Sequence, residues 1–207
     1  MPPKHIALIL TVALTMVVSL SGCLFPQEPY KEVKYYDLQS PKITLPSDIS
    51  VRIALFKAME SAKYKMVYRD AECQVLVDEY NKWIQPPEFL ITRYLEAAFS
   101  HEASSLDKKT EFSISGTLYM FSLDLKDKTA ALGVNYEIRR SVMGSEILLV
   151  KNSIVFRSQV KDENAAAFAM AMSQSAKKLA EALREELIQL KKTLDKPAET
   201  KPVDIKK

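Results

Sequence analysis

Three long runs in the second half of the chain limit its fold more than any other feature. Phe112–Leu125, Ala130–Val142 and Glu146–Gln159 are rich in β-branched and aromatic residues, and the short turns Lys126-Asp127-Lys128 and Met143-Gly144-Ser145 separate them. Such residues fit a pleated surface, and sequential runs joined by short turns pair antiparallel. In the second run Val134, Tyr136 and Ile138 alternate with Asn135, Glu137 and Arg139. Successive strand side chains point to opposite faces, so this meander has one packed and one wet face. A half-apolar sheet needs a cover. The chain supplies one directly downstream. Asp162 is placed to cap a helix, and Phe168, Met172, Ala176, Leu179, Leu183, Leu187, Leu190 and Leu194 recur in steps of three and four. Lys177 and Glu181 form an i,i+4 pair on the outer side. The seam covers the sheet; a coiled coil with a partner is the other use of such a stripe, and exposed apolar positions along it would then form the contact face.

The first half is built from shorter pieces. Val33–Leu38, Ser50–Phe56, Tyr64–Arg69 and Gln74–Asp78 read as strands, with Val51, Ile53 and Leu55 on one face of the second, and Pro41 and Pro46 punctuate the first connection. Pro86-Pro87 then opens a helix, where a missing N–H costs nothing. Leu90, Ile91, Tyr94, Leu95, Ala98 and Phe99 make one wide stripe on it, and Glu88 suits its first turn. The expected fold is α+β: an antiparallel or mixed sheet with two helices packed on one face, the C-terminal helix long. Residues 33–195 form this single domain. The composition of 196–207 shifts to Lys, Pro, Thr and Asp, as in a disordered polar tail.

Ahead of the domain lies a targeting signal. The apolar run Ile6–Leu20 follows Lys4 and falls short of the roughly 20 residues that span a bilayer. It ends in Leu20-Ser21-Gly22-Cys23, which resembles the lipobox of bacterial lipoproteins. That resemblance implies cleavage after residue 22, a diacylglycerol on the Cys23 sulfur and an N-acyl chain on the freed amine. An ordinary secretory signal or an uncleaved anchor is the alternative. Residues 23–32 then act as a lipidated tether with two prolines, and Leu24 in place of Asp after the cysteine resembles sorting to the outer membrane. Cleavage removes one of 29 basic residues and none of 26 acidic ones, so the mature chain stays near neutral and has no electrostatic footprint for nucleic acid. With Cys23 lipidated, Cys73 has no partner in the chain; a buried thiol or an intermolecular disulfide remains open to it.

Residues that carry chemistry are scarce. The mature chain holds one histidine, His101, and no Cys-x-x-Cys or His pair for zinc. With four glycines in the whole chain there is no phosphate loop and no Gly-x-Ser-x-Gly elbow. Asp70 and Glu72 flank a turn and read as solvated charges. These absences favour a non-enzymatic role with no cofactor beyond the lipid on Cys23.

The stretch Met66–Phe99 contains Tyr68-Arg69-Asp70, then Tyr80-Asn81-Lys82-Trp83, then a proline-led helix with Leu90-Ile91-Thr92-Arg93-Tyr94-Leu95. With the early Tyr35-Tyr36-Asp37-Leu38, it resembles the ABC-type transport auxiliary lipoprotein family, the PqiC-like outer-membrane lipoproteins. The chain departs at Phe56–Lys63, where many members carry a Pro-x-x-Leu-x-Arg segment. The resemblance implies a lipoprotein anchored in the outer membrane and facing the periplasm. Its implied partners are an inner-membrane ABC permease and ATPase with an MCE-domain protein, which together move lipids between membranes. The chain would be an accessory or docking component of that system. Tyr68, Arg69, Trp83 and Pro86 are then candidate partner contacts, although a lone tryptophan at a strand–helix junction also reads as packing. The competing roles are support of an outer-membrane β-barrel and a periplasmic lipid carrier, with a hydrolase further off.

Overall fold

The computed structural model describes residues 30–59, 63–70, 74–100 and 110–196. In order, the elements are β1 (Lys34–Tyr36), β2 (Ile49–Ile53), β3 (Lys57–Ala58), β4 (Lys65–Arg69), β5 (Val75–Trp83), α1 (Pro87–Phe99), β6 (Thr110–Asp124), β7 (Thr129–Val142), β8 (Ser145–Gln159) and α2 (Ala165–Asp195). Residues Leu20, Ser21, Gly22, Cys23, Glu72, Cys73, His101 and the tail from 197 lie outside the described part.

The expected meander is the largest block. β6, β7 and β8 pair antiparallel along nearly their whole length. Met143 (φ 49°) and Gly144 (φ 81°) both sit at positive φ, so a two-residue turn joins β7 to β8. That backbone twist matches the twist of the flanking strands. At the other hairpin Asp124 Oδ1 accepts from the amides of Lys126 and Asp127, both at 3.1 Å.

β6 is also the point where the two halves of the chain meet. Its far side takes β2, then β3, then β4 in parallel register, so the eight-stranded sheet is mixed. β5 pairs antiparallel with β4, and β1 pairs parallel with the end of β5. β3 is absent from the sequence reading, being only two residues long. β5 runs on through Trp83, past the expected end at Asp78. Leu55, expected to share a face with Val51 and Ile53, is exposed at 55% while those two are half-buried. Regular pairing of β2 ends at Ile53, and the two residues Ala54 and Leu55 then shift the alternation so that Phe56 turns inward.

Both helices pack on one sheet face. The α1 stripe is buried as expected, and Thr92 locks it to the strands by accepting from the Phe56 amide at 3.0 Å. On α2, Phe168, Met172, Ala176, Leu179, Leu183 and Leu187 are buried, while Leu190 and Leu194 are partly so. The N-cap is Asn164, not Asp162: its Oδ1 accepts from the Ala167 amide at 2.8 Å. Asn164 is the residue with extended backbone dihedrals one step before the first turn, which is what capping requires.

Polar contacts fix α2 to the sheet. The Ser175 hydroxyl lies 3.0 Å from that of Ser158, both buried. The Tyr136 hydroxyl donates to Glu186 Oε2 at 2.6 Å. Burial, reinforced by that carboxylate, pushes Tyr136 ionisation up to about 12, so it remains a donor at neutral pH. The connection between β1 and β2 straps along the helix: the Gln39 amide donates to Ser173 Oγ, Arg184 Nε to the Thr44 carbonyl, and Lys191 pairs with Asp48.

Phe56 is seated against Gly116 on β6. A Cβ there would lie 2.4 Å from Phe56 Cε1 and 2.8 Å from the Asn135 carbonyl oxygen. Gly116→Ala is therefore expected to destabilise the domain by about 1–3 kcal/mol in urea unfolding, the range for overpacking a tight site. An unchanged midpoint would contradict this seating.

Candidate functional site

The motif stretch folds into the β4–β5 ribbon and α1, and its residues divide into an aromatic base, a polar network and an exposed edge. Trp83, the last residue of β5, forms the base. It is fully buried, with Phe121 edge-on at 5.2 Å and Phe168 of α2 edge-on at 5.4 Å between ring centroids. Phe168 also meets Tyr68 of β4 at 5.7 Å. Edge-to-face aromatic pairs of this kind add to the burial of their area.

The network centres on Asp78, which the sequence reading passed over. Asp78 Oδ1 accepts from the amides of Tyr80 at 2.9 Å and Asn81 at 2.8 Å. Its Oδ2 accepts from Asn81 Nδ2 at 2.8 Å and from the Tyr68 hydroxyl at 3.1 Å. Asn81 Oδ1 in turn accepts from the Tyr36 hydroxyl at 3.1 Å. One chain of bonds thus joins the Tyr-Tyr-Asp-Leu, Tyr-Arg-Asp and Tyr-Asn-Lys-Trp stretches. Burial opposes ionisation of Asp78, but the bonds from Asn81, Tyr80 and Tyr68 outweigh it and hold its pKa below the ordinary value. Burial first, and then the Asp78 charge, raises the Tyr68 pKa, so Tyr68 stays neutral. Aspartate is depleted in strands and its carboxylate readily takes up the backbone two residues on, so an Asp within a strand-like run is the signal the sequence carries for this turn.

Two further candidates sit at the ends of their elements. Arg69 is half-buried at the end of β4, and its carbonyl accepts from the Leu125 amide at 2.8 Å. Pro86 occupies the N-cap of α1, and its carbonyl accepts from the amides of Phe89 and Leu90. Trp83 presents no surface to a partner. The long helix, the expected contact face, has Met170 as its one large exposed apolar side chain. The exposed apolar residues cluster instead in the motif stretch: Val75, Leu76, Val77, Tyr80, Ile84 and Phe89.

The network forms one wall of a cleft of about 780 Å³; opposite it lie the β6–β7 turn and the start of α2, with Lys128 and Glu163 paired at 2.6 Å. Lysines and carboxylates mix in its lining, unlike the enclosed apolar cavity of a lipid carrier. Among the described residues no cluster of His, Cys, Asp or Glu is arranged to hold a metal.

Two outcomes test this division. Trp83→Ala should cost about 3–5 kcal/mol in chemical denaturation, the range for truncating a buried large aromatic, and Trp83→Phe clearly less. A small loss for the alanine variant would show that the indole is not the base of the ribbon. For Asp78, a carboxyl with a lowered native pKa adds stability above its unfolded value near 4, and that stability is lost as pH falls through the native value. Wild type should accordingly lose stability below about pH 4.5 more steeply than Asp78→Asn; parallel pH profiles would contradict the network.

Residues 61–183 match the family described as the ABC-type transport auxiliary lipoprotein component. A crystal structure of an uncharacterized protein superposes with a TM-score of 0.59 at 12% identity, covering 76% of this chain and 99% of that one. A crystal structure of a Xanthomonas campestris protein of the DUF330 family gives 0.56 at 12% identity, covering 79% and 99%. At such identities the likeness shows the fold. No curated protein matches the chain. Among the described residues no helix is long and apolar enough to cross a membrane. The matched segment runs from β4 through most of α2 and contains the ribbon, its aromatic base and Asp78 with its partners Tyr68, Tyr80 and Asn81; the chain belongs to the ABC-type transport auxiliary lipoprotein family.

Proposed function

We propose that this chain is a periplasm-facing docking component of an ABC-type transport system, held in the outer membrane by lipid on Cys23. Its partners are an inner-membrane permease and ATPase with an MCE-domain protein, and its role is to fix the outer-membrane end of a lipid-transport bridge. The observation that supports docking is the exposed apolar strip from Val75 to Phe89, mounted on the buried aromatic base. Exposed apolar residues gathered in one region mark an interaction site, and three of these, Val75, Leu76 and Val77, are consecutive in the chain. The absence of any catalytic constellation in the sequence fits a role of this kind. The anchor follows from Leu20-Ser21-Gly22-Cys23. Each buried methylene adds about 0.8 kcal/mol of membrane affinity, so several acyl chains hold firmly.

Two measurements test the proposal. In cells, Cys23→Ser should abolish labelling by a fatty-acid analogue and move the protein out of the membrane fraction; unchanged labelling would contradict the anchor. Affinity purification of the wild-type lipoprotein should recover the MCE-domain protein and permease. Recovery of an outer-membrane β-barrel in their place would contradict the assigned system.

A further inference from the structure

A second, smaller group of exposed apolar side chains sits at the β7–β8 turn, across the sheet from the β4–β5 ribbon. Met143 is fully exposed there, and Ile147 and Leu148 are exposed at 49% and 47%. Met143 and Gly144 both have positive φ, which defines a turn that favours Asn-Gly or Asp-Gly, because the left-handed conformation crowds an ordinary side chain. Methionine at its first position carries that cost and is buried against nothing in the chain. An extra residue, Leu149, bulges between the pairs Ile138–Val150 and Arg139–Leu148. A bulge re-aims the side chains beyond it, here Ile147 and Leu148, which take the two faces of the hairpin behind Met143.

From this geometry we infer that the Met143 tip is a second docking element, which inserts into an apolar socket on the transport complex as that complex approaches from the periplasm. The inference rests on the docking role and the Cys23 anchor proposed above, and it adds a contact separate from the Val75–Phe89 strip. Strand direction selects this occupant. β6 starts at the tip end and runs away from it; β4 runs with β6, β5 runs back, and β1 runs with β5. β1 therefore points toward the tip, and the chain ahead of Lys34 joins the domain from the far side. Followed through Asn81, Lys82 and Lys65, the register sets Lys34 about ten residues of β6 short of the tip, roughly 35 Å along the strands. A lipid on Cys23 thus holds the end of the domain remote from Met143. Residues 24–33 span about 35 Å only when fully extended, so bringing the tip to that bilayer would need the whole tether stretched back along the domain. Copies anchored in one bilayer carry their tips in the same direction, so two tips do not meet end-on. A protein surface arriving from the other side is what the tip meets. Methionine is flexible and polarisable enough to fit such a surface. Methionine and arginine are both enriched in interfaces, and Arg139 and Arg140 stand directly behind the turn.

The test uses the full-length lipoprotein and the purified MCE-domain protein with its permease and ATPase. Met143→Asn installs a residue that the turn favours, so it should keep or raise Tm while weakening binding about tenfold, as loss of an anchor residue does. A merely structural role for the turn would not separate stability from binding in this way. Met170→Lys on α2 should leave binding unchanged. If Met143→Asn melts early, Ile147→Thr/Leu148→Thr, which keeps strand propensity, should still weaken binding about threefold. A photocrosslinking residue in place of Met143 should label a protein of the complex; labelling of lipid or of a second copy of the lipoprotein would overturn the socket. Binding by Met143→Asn and by the threonine variant equal to wild type would overturn the tip contact, and would leave the docking role standing if Leu76→Lys still weakens binding. Failure of the wild type to bind the complex at all would overturn the docking role and this inference with it.

Discussion

The edge-to-face contact between Trp83 and Phe168 joins the motif ribbon to the rest of the molecule. The ladder that attaches β4 to β6 is short, Tyr68 opposite Leu123 and Arg69 opposite Asp124. Two such pairs do not hold a nine-residue strand in a fixed orientation. Phe168, from the second turn of α2, reaches Trp83 on β5 and Tyr68 on β4 together, and Phe121 of β6 closes the cluster. The long helix therefore does more than cover the meander: its first turns clamp the ribbon that carries the exposed surface. Farther along, the contacts of Ser175, Tyr136 and Lys191 keep that helix in place on the sheet and strap.

This arrangement separates rigidity from exposure. Side chains of β4 and β5 are locked by buried aromatic packing and by the half-buried Asp78 network. Val75, Leu76 and Val77 are left exposed on the same ribbon. A domain that works beside a partner can retain such a surface. The same ribbon lies within the segment, residues 61–183, that matches the family. Trp83, Tyr68 and Asn81 build the mount, and the residues between them form what is mounted.

Much of the architecture was legible before any coordinates. The meander showed itself by alternation, as at Val134, Tyr136 and Ile138, because one face is dry along its whole length. The α2 seam was legible for the same reason at helical spacing. What escaped was set by tertiary contacts. β3 is too short to leave a periodic signal, and its pairing with β6 depends on a parity shift at Ala54-Leu55. The helix start depended on which of two capping residues, Asp162 or Asn164, adopted extended dihedrals, and composition does not distinguish them. Trp83 was visible as a junction residue, but its partner Phe168 lies 85 positions away, and no local pattern relates them. Asp78 looked like the end of a strand because aspartate disfavours strands; in the folded chain it organises the turn of an edge and the strand continues.

The proposal that the exposed apolar residues of the motif stretch form the docking surface is tested most directly by hydrogen–deuterium exchange of the lipoprotein with and without its transport complex. Amide exchange reads local opening and coverage segment by segment. Binding should slow exchange across residues 75–80 while leaving the buried turns of α2 around Phe168–Leu187 unchanged. A complex that forms with exchange at 75–80 unaltered would contradict it.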